Sequence, residues 1–195
     1  MLDRAARRRV DPLLERWADP CVRLGISADA ITVAGFAAGL LAMLLVATGH
    51  NLLGLVALVA NRIADGLDGT VARRTRPTER GGYLDIVLDF LVYAGIPFAF
   101  AVAHPADALA AAFLIFSFVG TGTTFLAFAI FRKDVPARGK AFAYLGGLTE
   151  GTETIAVFVL ILLFPGTFPW AAWIFGMLCW LTTAGRVAAA LSVLR

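Results

Sequence analysis

Charge is what this sequence has least of. Asp, Glu, Lys and Arg supply 16% of its 195 residues, against 59% hydrophobic residues, and its mean hydropathy is +0.80. A soluble domain carries about 25% charged residues, so a water-solvated globule is excluded and an integral membrane protein is indicated. Cysteine is almost missing. Cys21 and Cys179 form no CxxC pair and lie far apart, which excludes a disulfide framework and leaves reduced, apolar thiols. Histidine is as scarce: His50 and His104 each fall in a short turn, both on the membrane side opposite the carboxylates described below. A metal site here is therefore built of oxygen, which favours Mg²⁺ or Mn²⁺ over zinc. No repeat of 20–50 residues and no low-complexity tail is present. The length accommodates one compact membrane domain and no second catalytic one.

What is present is a series of long apolar runs. Residues 1–26 place Arg4, Arg7, Arg8, Arg9, Arg16 and Arg23 among Leu, Val and Trp17, the pattern of a basic amphipathic helix lying on the membrane surface. Asp3, Asp11, Glu15 and Asp19 argue against a mitochondrial-type presequence, and an apolar run that begins near residue 30 is too late and too long for a cleaved signal. Its partner is lipid phosphate rather than nucleic acid, because a span follows the arginines directly. Residues 27–195 form the membrane domain. Ser27 is positioned to cap the first span. Spans are expected at about 30–48, 52–73, 81–103, 108–131, 149–164 and 170–191, with Pro97 bending the third. The expected fold is all-α, a polytopic bundle of six transmembrane helices with an amphipathic surface helix at its N-terminus.

Six spans put both termini on one side, and the loop charges say which. Arg74, Arg76, Arg80, Arg132, Lys133, Arg138 and Lys140 all belong to the terminal side, whereas the turns 49–51, 104–107 and 165–169 contain no Lys or Arg. The positive-inside rule makes both termini cytoplasmic, with Trp170 and Trp173 in the outer aromatic belt. The expected location is a bacterial-type inner membrane.

Four aspartates interrupt the second and third spans. Asp65 and Asp68 are three residues apart, Asp85 and Asp89 four; both spacings place a pair on one helix face. A charged turn joins the two helices, so a hairpin gathers four carboxylates at the cytoplasmic edge. Like charges about 4 Å apart repel by roughly 4 kcal/mol at an effective dielectric of 20, so the cluster requires protons or cations. Divalent metal is the natural neutraliser and points to metal-assisted chemistry on a phosphate. Gly69, Ala72 and Gly81 lack bulk, which lets a nucleotide approach the backbone and lets the two helices pack closely. Arg62, three residues before Asp65, could account for one of the acids by ion pairing but not for all four.

The run Asp65-x-x-Asp68-Gly69-x-x-Ala72-Arg73, seven residues, then Gly81-x-x-x-Asp85-x-x-x-Asp89 resembles the signature of the CDP-alcohol phosphatidyltransferases, membrane enzymes that make phospholipids. The turn between Arg73 and Gly81 is one residue shorter than is common in that family. The resemblance implies a transferase that moves a phosphatidyl-type group from a CDP-linked lipid, CDP-diacylglycerol above all, to an alcohol acceptor with release of CMP. It implies two divalent cations, Mg²⁺ or Mn²⁺, on Asp65, Asp68, Asp85 and Asp89. Asp89 would be the general base, and Asp65, Asp68, Gly69, Ala72, Arg73, Gly81 and Asp85 would bind the activated donor. Homodimers are common in the family and are expected here.

Further signals concern the acceptor. Glu150 and Glu153 open the fifth span; they either complement the helix dipole, with Thr149 as cap, or line a pocket for an unphosphorylated amine or polyol. Arg186 near the cytoplasmic end of span six is an acceptor candidate or a snorkelling side chain; Lys133, Arg138 and Lys140 are weaker candidates. Two rival readings stand beside the transferase. A divalent-cation transporter would also line spans with Asp, but the acids gather at one membrane edge and the chain lacks paired halves. A non-catalytic scaffold would not need an intact Asp set.

Overall fold

The computed structural model describes residues 2–131 and 149–194. Lys133, Arg138 and Lys140 lie outside them. Among the described residues the regular structure is helical: α1 Leu2–Arg23, α2 Ala28–Ala47, α3 Asn51–Arg74, α4 Glu79–Ala103, α5 Ala108–Phe131, α6 Gly151–Leu163 and α7 Phe168–Val193. These are an N-terminal helix and the six apolar segments read from the sequence, with ends within a few residues. Two of the breaks between helices rest on glycine. Gly25 (φ +69°) and Gly49 (φ +81°) occupy the left-handed region, and the N–H groups of Ile26 and His50 return to the carbonyls of Cys21 and Leu45 at 2.9 and 2.8 Å. Such a reversal needs a residue without a Cβ. Ser27 then caps α2, its Oγ accepting the Ala30 N–H at 3.2 Å, and Thr78 caps α4 by accepting from Gly81 N–H at 3.0 Å.

Among the described residues four helices, α2, α4, α5 and α7, are long and apolar enough to cross a membrane. The other two expected spans do not qualify on those terms, for different reasons. α3 carries Arg62, Asp65, Asp68, Arg73 and Arg74 along one helix. α6 has 13 residues, about 20 Å at a rise of 1.5 Å per residue. Leu44, Leu109, Phe98, Trp170 and Ile174 stand exposed on the outside. In water such a surface would be a liability; against lipid it needs no cover.

Helix α2 packs on α3 and α4, α4 on α5, and α5 on α7, while α1 and α6 close over α3. Small residues set the spacing: a Cβ at Gly35 would lie 2.8 Å from Ala64 Cβ, and one at Gly39 would lie 2.6 Å from Val92 Cγ2, so α2 can approach both partners only with glycine there. The deep core is aromatic, with Phe100 and Phe168 stacked at 4.3 Å and Phe118 edge-on to Phe158.

Candidate functional site

The hairpin α3–α4 carries the aspartates to one place. Carboxylate oxygens of Asp65, Asp85 and Asp89 lie within 4.8 Å of one another. Asp65 and Asp89 are part-exposed, at 34% and 27% of the side chain. Asp68 is buried and faces the same cavities, but its Oδ2 accepts a 2.6 Å hydrogen bond from Thr32 Oγ of α2. The same hydroxyl lies 3.0 Å from Ala28 C=O one turn back on α2, so the orientation of Asp68 is set from the neighbouring helix. Sequence spacing alone could not distinguish Asp68 from Asp65; the helix that supplies Thr32 does.

Arg62 is the residue whose part the sequence underplays. The spacing suggested a pair with Asp65, which lies at 3.8 Å; the closer partner is Asp89, on the other helix, at 2.6 Å from Nη2 to Oδ1 and 3.4 Å from Nη1 to Oδ2. Nη1 also donates to Tyr93 Oη at 3.2 Å, and Nε to Asn61 Oδ1 at 2.9 Å. Asn61 is held in turn through Nδ2 to Gly35 C=O at 2.9 Å. An arginine three residues before an Asp is visible in the sequence, but its reach across to α4 is not.

Two large cavities meet at the acids. One, of about 640 Å³, is walled by Leu13, Leu14 and Trp17 of α1, by Leu58, Arg62 and Ile63 of α3 and by Thr152 and Ile155 of α6, with Asp65, Asp68, Asp85 and Asp89 at its polar end. The other, of about 500 Å³, lies beneath the α3–α4 turn and is lined by Asp29, Thr32, Asp68, Gly69, Ala72, Thr78, Gly81 and Asp85. All three small residues of the motif thus border this second cavity. A Cβ on Gly81 would come within 3.1 Å of Asp29 Oδ1 and Thr78 Oγ, narrowing it directly. Arg73 is exposed at the first cavity, where its Nη2 donates to Thr70 Oγ at 3.0 Å. Helix α1 is therefore a wall of the site: Leu14 packs over Gly66, and Arg74 pairs with Glu15 at 2.7 Å and also with Asp19.

The residues assigned to the acceptor divide. Glu150 and Arg186 share a smaller cavity of about 140 Å³ with Tyr93, Thr121 and Phe125. Arg186 is half-buried, its Nη1 donating to Thr121 C=O at 3.0 Å and its guanidinium 5.9 Å from the Phe125 ring. Glu153 is occupied in a reciprocal capping box with Glu150, accepting its N–H at 3.0 Å. The cap of α6 is therefore Glu150 and not Thr149, whose hydroxyl instead donates to Thr182 at 3.1 Å. Tyr93 stands between this cavity and the acids, touching Arg62 on one side and lining the smaller cavity on the other.

The arrangement has counterparts. The inner membrane protein YnjF of Escherichia coli is 51% identical over 197 residues, covering 96% of this chain and 94% of that protein. An archaetidylinositol phosphate synthase of Methanothermobacter thermautotrophicus is 43% identical over 82 residues, covering 41% of this chain and 42% of the synthase. The fold is shared with the phosphatidylinositol phosphate synthase PgsA1 of Mycobacterium tuberculosis, crystallised with CDP-DAG bound, at a TM-score of 0.67 and 19% identity over 92% of this chain and 94% of that one. The same enzyme has been crystallised in complex with manganese and citrate. The family model for CDP-alcohol phosphatidyltransferase matches residues 26–185, a stretch that holds every aspartate and glycine of the cluster, and the chain belongs to the CDP-alcohol phosphatidyltransferase family.

Proposed function

We propose that this protein transfers a phosphatidyl group from CDP-diacylglycerol to an alcohol and releases CMP. The observation that carries the reading is the three-carboxylate cluster of Asp65, Asp85 and Asp89 at the junction of two cavities, one apolar-walled and one lined by the motif's small residues. The donor has the same two characters. Its diacyl part suits the wall of Leu13, Trp17 and Leu58, and its cytidine suits the cavity bordered by Gly69, Ala72 and Gly81. Its diphosphate then lies at the acids, which CDP-DAG bound to PgsA1, a protein of like fold, supports.

An all-carboxylate donor set with oxygens inside 4.8 Å fits a hard divalent cation. Asp65, Asp85 and Asp89 would hold Mg²⁺ or Mn²⁺, with Asp68 beside them, and two such ions are the reading the four acids favour. When bound, the metal neutralises the diphosphate and stabilises the charge on the leaving oxygen. Asp89 takes the proton from the acceptor hydroxyl. The hydroxyl oxygen forms a bond to the lipid-bearing phosphorus, the bond from that phosphorus to the CMP oxygen breaks, and the proton rests on Asp89. Thr32 holds Asp68 in place throughout, and Arg73 at the cavity mouth meets the donor's negative charge.

For the acceptor, the cavity of Glu150 and Arg186 pairs a carboxylate and a guanidinium, which can orient the polar groups of an amine or a polyol. Glu150 and Glu153 share the capping box of α6, and of the two it is Glu150 that lines this cavity and carries the acidic recognition. The protein is read as integral to a bacterial inner membrane, as YnjF is named. α3 and α6 cross as inner members of a six-span bundle, both termini are cytoplasmic, residues 1–26 lie on the surface, and two copies form a homodimer.

The test is CMP release from CDP-diacylglycerol by purified protein with Mg²⁺ or Mn²⁺ across a panel of alcohols, with Asp89→Asn as control. Acceptor-dependent release that disappears in the variant is the expected result and identifies the acceptor. Folded protein that binds metal yet releases no CMP with any acceptor or any CDP-linked donor would overturn the transferase reading. In the same assay Glu150→Ala is expected to lose turnover with every acceptor while still binding CDP-diacylglycerol; wild-type turnover would remove Glu150 from the acceptor site.

A further inference from the structure

Arg62 occupies a position that the proposed chemistry does not explain. Its side chain is only 14% exposed, and its guanidinium spends two nitrogens on the two oxygens of Asp89, at 2.6 and 3.4 Å. A third contact, at 3.8 Å, reaches Asp65. One guanidinium charge is therefore shared between two of the three clustered carboxylates, most of it on Asp89. The fork is held from behind: Nε donates to Asn61 Oδ1, Asn61 is tied to the α2 backbone, and the guanidinium carbon lies 5.4 Å from the centre of the Tyr93 ring, whose hydroxyl it also meets. Planar bidentate geometry of this kind fixes a carboxylate's orientation as a lysine would not.

We propose that Arg62 is the built-in counter-cation of the cluster and the positioning residue for Asp89, and that divalent metal competes with its guanidinium for the oxygens of Asp65 and Asp89. The inference rests on the metal reading above. A carboxylate oxygen committed to a guanidinium N–H offers less of its charge to an ion, and the two cations repel across the same few ångströms. Arg62 thus keeps the acids from driving the α3–α4 hairpin apart before metal arrives. With an ion drawing on Asp65 and one Asp89 oxygen, the guanidinium would keep the other Asp89 oxygen, the Tyr93 face and Asn61 as partners, so Asp89 stays oriented and the buried cation is never left without contacts.

The experiment titrates Mn²⁺ into chelator-treated, detergent-purified protein, with heat and the free-Mn²⁺ paramagnetic signal as readouts, for the wild type, Arg62→Met and Arg62→Lys. Arg62→Met is expected to bind Mn²⁺ about tenfold more tightly, the direction set by removing a like charge from the site. Its metal-free melting temperature falls and saturating Mn²⁺ restores it, so the Mn²⁺-induced rise exceeds that of the wild type. Its kcat for CMP release falls, because Asp89 is no longer oriented, while the donor KM changes little. Arg62→Lys keeps the charge but not the fork, and is expected to hold near wild-type Mn²⁺ affinity with a lowered kcat. Unchanged or weaker Mn²⁺ binding in Arg62→Met would falsify the competition. Should Arg62→Met not fold, Arg62→Gln, which keeps a hydrogen-bonding group, carries the same expectation and the same refutation. Failure of the wild type itself to bind Mn²⁺ would overturn the metal reading, and this inference with it, which separates the two failures.

Discussion

Asp89 is asked to accept a proton while already gripped by a guanidinium, and Asp68 to ligate metal while already accepting from Thr32. The two restraints differ in kind. Thr32 supplies one short neutral-donor bond to Asp68, which orients the carboxylate. Asp89→Asn is expected to lower turnover about 10²- to 10⁴-fold, the usual contribution of a positioned general base, with the melting temperature little changed; CMP release and a thermal melt check both. Thr32→Val is expected to cost far less, because Asp68 keeps its charge and loses only its orientation. At Gly81 the constraint is space. Gly81→Leu adds atoms where a Cβ alone would meet Asp29 and Thr78 at 3.1 Å, so it is expected to raise the donor KM with a smaller change in kcat, read from CMP release against CDP-diacylglycerol concentration.

Helix α2 illustrates how an element is held at both local and tertiary levels. Locally, Ser27 caps it, and Ser27→Ala is expected to lower stability by about 1 kcal/mol, seen as a reduced melting temperature with activity retained. At the tertiary level, Gly35 and Gly39 let it settle against α3 and α4, and that approach is what brings Thr32 to Asp68. Gly39→Leu is therefore expected to reach the active site without touching it: α2 is displaced from Val92 and Asn61, the Thr32–Asp68 bond is lost, and both stability and turnover fall. Helix α1 is legible in the sequence as basic and amphipathic, but its docking is not. Its buried Leu14 and Ala18 face α3, and the pairing of Arg74 with Glu15 and Asp19 joins residues more than fifty positions apart. No helical periodicity could announce that contact.

The sequence as a whole sorts its basic residues away from three of its turns. Arg74, Arg76 and Arg80 cluster at the α3–α4 turn beside the acids, whereas the turns at 49–51, 104–107 and 165–169 hold no Lys or Arg. If that asymmetry sets orientation, a cysteine at position 76 is expected to react with a membrane-impermeant maleimide only after the inner membrane is opened, and one at position 166 to react in intact spheroplasts. The reverse pattern would invert the topology. Chelation is expected to abolish CMP release and Mg²⁺ or Mn²⁺ to restore it, since the clustered carboxylates are to hold a cation for the chemistry.

The amino-acid sequence by itself determined the helical content, the apolar segments and their ends, the Ser27 cap, the glycine-terminated turns and the aspartate motif, because each depends on periodicity, local capping or covalent neighbourhood. It also determined the family, since the motif lies within a continuous stretch of 25 residues. The tertiary structure alone decided which acids converge, because the third member of the cluster comes from whichever rotation α3 and α4 adopt against α2. It decided that Arg62 grips Asp89 more closely than Asp65, that Glu150 and Glu153 meet in the capping box of α6, and that Tyr93 touches both Arg62 and the Glu150–Arg186 cavity. The first and last of these are contacts between helices, set by the depth to which glycines and small side chains let the helices approach, and spacing within one helix carries no record of that depth.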